Sequence, residues 1–212
     1  MKTQNLLRLA LFLVATLTLS GCIQSEYSRI KITPQPASQA MMDAMITLND
    51  GPEILGKGKW EIKKSHDIIQ IWQWSNYSSL IAFQLRHLNQ NRGEIPVRHL
   101  IALYPSVPAA KSLWLAHDDS RIIHTFANSV TKEIAILPEN NRPILAANDV
   151  LYRCERYYDL DITTHCVARL RYGQYYTELV GQITAEALNV EQFFELVKVV
   201  DNRMQILVAQ GE

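Results

Sequence analysis

Turn-forming chemistry recurs roughly every 8–12 residues through the middle of this chain, a spacing that suits short antiparallel strands. The punctuation is Ser75-Asn76, Asn89-Gln90-Asn91-Arg92-Gly93, Tyr104-Pro105-Ser106-Val107-Pro108, His117-Asp118-Asp119-Ser120 and Pro138-Glu139-Asn140-Asn141-Arg142-Pro143. Between these lie strand-length runs: Ile69–Trp74, Leu80–Leu88, Val97–Leu103, Leu113–Ala116, Arg121–Phe126 and Thr131–Leu137. Two further runs, Val150–Tyr158 and Thr163–Tyr172, read as a hairpin folded about Leu160, and Gln174–Thr184 is a last strand after the break at Gly173. The expectation is an antiparallel β-sheet meander.

Helical periodicity flanks the strands. Ser38 can cap a helix in which Met41, Ala44, Met45 and Leu48 recur at i, i+3, i+4 and i+7, ended by Asn49-Asp50-Gly51-Pro52. Its methionine stripe could grasp an apolar partner; one face of a core helix is the simpler reading. Near the end, Asn189 with Gln192 forms a capping-box pattern. Phe193, Val197, Val200, Met204 and Leu207 then share one stripe, with Glu191, Glu195, Lys198, Asp201 and Gln205 on the other face. A helix with one apolar stripe covers a sheet face. The expected fold class is α+β, an antiparallel sheet with flanking helices near both ends of the mature chain.

At the start, Lys2 and Arg8 precede an apolar run, Leu9–Leu19, which ends in Leu19-Ser20-Gly21-Cys22. This is a charged segment, a short apolar core and small residues at a cleavage point. The run is shorter than the roughly 20 apolar residues of a spanning helix. Its last four residues resemble a bacterial lipobox. The resemblance implies cleavage after Gly21, diacylglycerol on the Cys22 sulfur and acylation of the new amino terminus. Each buried lipid methylene contributes about 0.8 kcal/mol, so two or three chains hold a protein on a membrane almost permanently. Ile23 stands where inner-membrane lipoproteins of enterobacteria carry aspartate, which implies the outer membrane with the body facing the periplasm. The implied organisation is a signal peptide over 1–21, an acylated tether over 22–37 with a short strand at Tyr27–Ile32, and a single α+β periplasmic domain over 38–212.

Loss of residues 1–21 removes two of 21 basic residues and none of 21 acidic ones, leaving a net charge near −2. That balance argues against a nucleic-acid partner and against polybasic binding to anionic lipid. The mature body, about 190 residues, can bury a core of its own.

With Cys22 assigned to lipid, Cys154 and Cys166 remain in an oxidising compartment, where an even number of cysteines usually pairs. Folding the intervening segment about Leu160 sets them opposite each other. A metal site using Cys154, His165 and Cys166 is disfavoured, because His165 and Cys166 are adjacent and point to opposite faces of a strand.

The chain carries no Gly-x-Ser-x-Gly, no Ser-x-x-Lys set, no His-Glu-x-x-His, no paired Cys-x-x-Cys and no calcium loop. Gly56-Lys57-Gly58-Lys59 lacks phosphate-loop spacing and reads as a strand-entry turn. No catalytic, cofactor-binding or metal-binding residue is expected. Of the histidines (His66, His87, His99, His117, His124 and His165) only His117 sits in an acidic cluster, with Asp118 and Asp119, where turn chemistry is the simpler explanation. Asp159-x-Asp161 and His66-Asp67 are read the same way. Trp72 and Trp74 share one strand face, as core or as an aromatic contact patch. The cysteine hairpin is rich in the residue types that dominate protein interfaces. Its expected contact surface is Arg153, Arg156, Tyr157, Tyr158, Arg169 and Arg171, with Tyr172, Tyr175 and Tyr176 alongside.

These features point to a non-enzymatic, membrane-anchored binding lipoprotein. The specific form is an immunity protein that neutralises a toxin delivered into the periplasm, such as a lipase effector. The alternatives are a structural accessory of an envelope or secretion complex and an envelope hydrolase built on His117.

Overall fold

The computed structural model describes residues 33–50, 60–64, 77–89, 93–116, 132–135, 142–158, 162–184 and 188–211. Chain contacts define a compact unit over Pro34–Glu212, which takes in Pro34–Ala37 from the expected tether. Cys22, Trp72, Trp74, His66, His117, Asp118, Asp119, His124, Asp159, Asp161, Tyr27–Ile32 and the expected strands Ile69–Trp74 and Arg121–Phe126 lie outside the described residues.

The elements are, in order, α1 (Gln39–Asp43), a 3-10 turn (Leu48–Asp50), β1 (Trp60–Lys64), β2 (Ser79–Asn89), β3 (Gly93–Leu103), α2 (Val107–Ala116), β4 (Lys132–Ala135), β5 (Asp149–Tyr158), β6 (Ile162–Tyr172), β7 (Tyr175–Ile183) and α3 (Val190–Ala209). The described strands form one sheet in the order β1-β2-β3-β7-β6-β5-β4, every pair antiparallel. The class is the expected α+β with an antiparallel sheet. Two meanders, β1–β3 and β4–β7, meet where β7 inserts beside β3.

Two turns set the registers. Cys154 pairs with Cys166 and Tyr158 with Ile162, which centres the β5–β6 hairpin on Leu160. Tyr172 pairs with Tyr175 across Gly173-Gln174. Gly173 has φ +58°, the left-handed region that glycine enters without the steric cost of a Cβ.

The first sheet face carries Ile81, Leu85, Val97, Ile101, Ala168, Leu170, Leu179 and the cysteines, packed under α3 and α1. On α3 the whole expected stripe is buried, and the Asn189–Gln192 capping box is formed. Asp201 differs from its reading as an outer-face residue. It is 5% exposed and accepts hydrogen bonds from the Tyr172 hydroxyl, the Ala146 amide (3.1 Å) and Gln205 Nε2 (2.8 Å). A carboxylate with three donors can sit in a core.

Ser38 caps α1 as expected, and Met41, Ala44 and Met45 are core. The helix lasts five residues, however. Asp50 accepts from the Thr47 amide (2.7 Å) and from Arg203 (2.5 Å), which turns the chain early. Leu48 therefore leaves the stripe and is 38% exposed.

The second face packs Ala82, Leu100, Ala102, Tyr104 and Tyr176 against Ala110 of α2. Leu113–Ala116, expected as a strand, is the last part of this helix. Ser106 Oγ accepts from the Ala109 amide (3.3 Å), and Pro108 falls in the first turn, where it costs no hydrogen bond. The residues read as a turn are a helix start.

Gly181 lies beneath α3. A Cβ there would stand 2.7 Å from Leu188 Cδ2 and 3.1 Å from Phe193 Cδ2. Gly181→Val is expected to lower stability by about 1–3 kcal/mol through overpacking, measured by urea unfolding; an unchanged midpoint would show that α3 can move away freely.

Candidate functional site

Strand periodicity places a set of charged and polar side chains on the second sheet face, beyond the aromatic cluster: Arg98 from β3, Tyr176 and Glu178 from β7, His165, Arg169 and Arg171 from β6, and Arg153 and Glu155 from β5. Register makes pairs of them. Arg169 faces Glu178, His165 faces Glu155, and Arg171 faces Asp149. Opposite charges directly across an antiparallel pair attract.

The central group is Glu178. Its Oε2 accepts from Arg169 Nε (3.0 Å) and from the Tyr176 hydroxyl (3.1 Å). Glu178 is 2% exposed. Burial pushes its carboxyl up to about 7, against the opposing pull of Arg169, Tyr176 and Arg98. Burial also pushes the Tyr176 hydroxyl well above its ordinary range, with Glu178 adding to it. Beside them Arg153 Nε stands 2.6 Å from Glu155 Oε1, and Arg171 bridges Asp149 and the Gly173 carbonyl. Burial, helped by Arg98, lowers His165 to about 4, while Glu155 works in the other direction.

A carboxyl near 7 suits general acid–base work by number alone. Here one donor, Arg169, comes from the neighbouring strand β6 and the other, Tyr176, from β7 itself, and the side chain is closed off from solvent. The arrangement holds β5, β6 and β7 in register, and its chemistry is that of an internal ion-pair network.

The expected contact surface changes accordingly. Arg169 and Arg171 are buried, 6% and 7% exposed, and engaged with Glu178 and Asp149. Tyr172, Tyr175 and Tyr176 are buried too. The physical reason is topological: β7 sits between β3 and β6, so the β6–β7 ribbon is the sheet centre rather than a free hairpin. Arg156 is exposed, and Arg153 is partly so. Tyr157 and Tyr158 lie on β5, and their side chains are outside the described set.

Cys154 and Cys166 form a disulfide across β5 and β6, with Cα atoms 4.1 Å apart. Both sulfurs lie in the core under α3, whereas His165 points to the charged face. The two adjacent residues do serve opposite faces. Among the described residues no group of three His, Cys, Asp or Glu side chains is placed to hold a metal ion.

His99 was one of six scattered histidines in the sequence. In the fold it is fully buried on the first face. The Ile46 amide donates to its Nδ1 (3.1 Å), and its Nε2 meets Thr177 Oγ1 (2.9 Å). Thr177 donates its own hydroxyl to the Leu100 carbonyl (2.8 Å), so Nε2 carries the proton and the ring is neutral. Burial and Arg203 lower it to about 3.

These shifts give stability a sign with pH. The histidines bind protons only when unfolded, so their contribution is complete above about 6.5 and is lost as pH falls toward their folded values. Glu178 works oppositely: its contribution is complete below its ordinary carboxyl range and is lost as pH rises through about 7. Two protons taken up against one released leave a net of one. The folding equilibrium is therefore expected to weaken roughly tenfold per pH unit between about 6.5 and 4.5. Glu178→Gln should steepen this slope. Urea titrations at several pH values measure both, and a flat profile contradicts the assignment.

No protein-family model matches the chain, and no curated protein matches it at a significant level.

Proposed function

We propose that the chain is a lipid-anchored periplasmic binding protein, and most specifically an immunity protein that neutralises a toxin delivered into the periplasm, such as a lipase effector. The observation that carries the reading is the Cys154–Cys166 disulfide. Such a bond persists in exported proteins, the compartment to which a lipobox at Leu19–Cys22 addresses a chain. Lipid on Cys22 then provides the membrane contact, at the outer membrane.

On the second sheet face Arg169 is paired with Glu178, Arg171 with Asp149 and Arg153 with Glu155, which favours binding over catalysis as the work of the body. The bridged β5–β6 hairpin offers Arg156, exposed on the face that carries Cys154, as the contact residue, while Arg153 points to the opposite face beside Glu155. A cross-linked hairpin loses little conformational freedom on binding.

The test is direct. The lipoprotein, purified in detergent, is mixed with the secreted product of the adjacent gene. A one-to-one complex that blocks the toxin supports immunity, and Arg156→Glu should weaken that complex. Absence of binding overturns it, and co-purification with several envelope proteins instead assigns the chain to an envelope or secretion complex. Mass spectrometry showing an unmodified Cys22 removes the anchor.

A further inference from the structure

We propose that residues 41–50 form a strap closed over the sheet by His99, and that protonating this imidazole releases the strap while the sheet remains folded. The inference is independent of the anchor and of any partner. The strap seats Met41, Ala44, Met45 and Ile46 in the core, and its polar ties to the body are few. The Ile46 amide donates to His99 Nδ1 on β3, Arg203 of α3 donates to the Met45 carbonyl, and Arg203 also holds Asp50 at 2.5 Å. A five-residue helix has no independent stability to keep the segment in place.

The His99 tie depends on an acceptor lone pair. A proton on Nδ1 would set donor against donor at Ile46 and place a charge in the core beside Arg203. Nε2 offers no escape, because it already donates to Thr177. Among the described residues, the groups around the ring are Arg203 from α3, Asp50 from the strap (spent on Arg203 and Thr47), the uncharged Thr177 from β7, and Phe83 opposite on β2. Nothing there compensates an imidazolium.

Burial and Arg203 hold the closed-strap ring down to about 3. Opening returns it to water and to an ordinary value near 6.5. Closure is therefore complete above that value and weakens as pH falls below it. The ladder of β2, β3 and β7 does not depend on the imidazole, so opening need not unzip the sheet. Lifting the strap uncovers the apolar seat of Met41, Met45 and Ile46.

Amide hydrogen exchange on the full chain in detergent, corrected for intrinsic rates, tests this. Between pH 7.5 and 5.0 the opening equilibrium read at Ile46 should rise about 30-fold. At both pH values Ile46 should be far less protected than Leu179 in β7. Protection of Ile46 equal to that of Leu179 at pH 5.0 would overturn the proposal, since the strap would then open only with the sheet. An unchanged Ile46 equilibrium would overturn it as well. In His99→Gln the pH dependence at Ile46 should vanish, and its persistence assigns the effect elsewhere. Should that variant not fold, the two amides of the natural chain decide the question alone.

Discussion

Arg169→Met will cost about 3–5 kcal/mol at pH 8, and the loss will shrink as the pH is lowered toward 5.5. The substitution leaves the Glu178 carboxylate buried with the Tyr176 hydroxyl as its remaining short-range donor. A carboxyl already held near 7 can escape by taking up a proton, and acid makes that easier. The converse variant, Glu178→Leu, strands a guanidinium that cannot lose its charge. Its loss should be of similar size at pH 8 and should grow as the pH is lowered, because the natural chain gains from protonating Glu178 and the variant cannot. The double variant should recover much of either loss, because an apolar pair of similar volume often replaces a buried ion pair at little cost. Urea unfolding of the three variants against the natural chain at pH 8 and 5.5 measures this. Identical pH profiles for the two single variants would mean that Glu178 is not the group that titrates.

Reduction of the Cys154–Cys166 disulfide will lower stability by about 3 kcal/mol, the chain-entropy value for a loop of this size. Reduction removes the cross-link while leaving both side chains under α3, at the cost of the small separation two thiols require. Replacing both cysteines with Ala should cost somewhat more, because small voids are left among Ala168, Leu170 and their neighbours. The comparison is between oxidised, reduced and double-Ala chains in urea. Equal midpoints for the oxidised and reduced forms would show that the ladder alone already restrains the unfolded hairpin.

Several parts of this fold are legible in the sequence because local chemistry decides them. Asn189 and Gln192 announce α3, and its stripe from Phe193 to Leu207 names five of the residues it buries, though not Phe194, Leu196 or Asp201. The symmetry of Cys154 and Cys166 about Leu160 fixes the hairpin register, and the same arithmetic about Gly173-Gln174 would have set Arg169 opposite Glu178. What sequence periodicity could not show is which strands lie in the middle. Arg169, Arg171 and Tyr176 look like surface residues in any isolated ribbon, and only the pairing of β7 with β3 encloses them. Asp201 misleads for the same reason: an acid at a helix position flanking the stripe reads as solvated until Tyr172 and Ala146 arrive from elsewhere in the chain. At Ser106-Val107-Pro108 two readings compete over the same residues, since a capping serine followed by proline opens a helix as readily as it makes a turn. His99 carried no local signal, because its partners come from 53 and 78 residues away.

The position of β7 also dictates an order of events during folding. The halves β1–β3 and β4–β6 cannot join until β7, the last of the described strands, has entered between them. Until then β3 and β6 each present an open edge, the kind of surface that recruits stray strands from other molecules. A chain cut before Tyr175 would carry two unmatched half-sheets with exposed edges and is expected to aggregate.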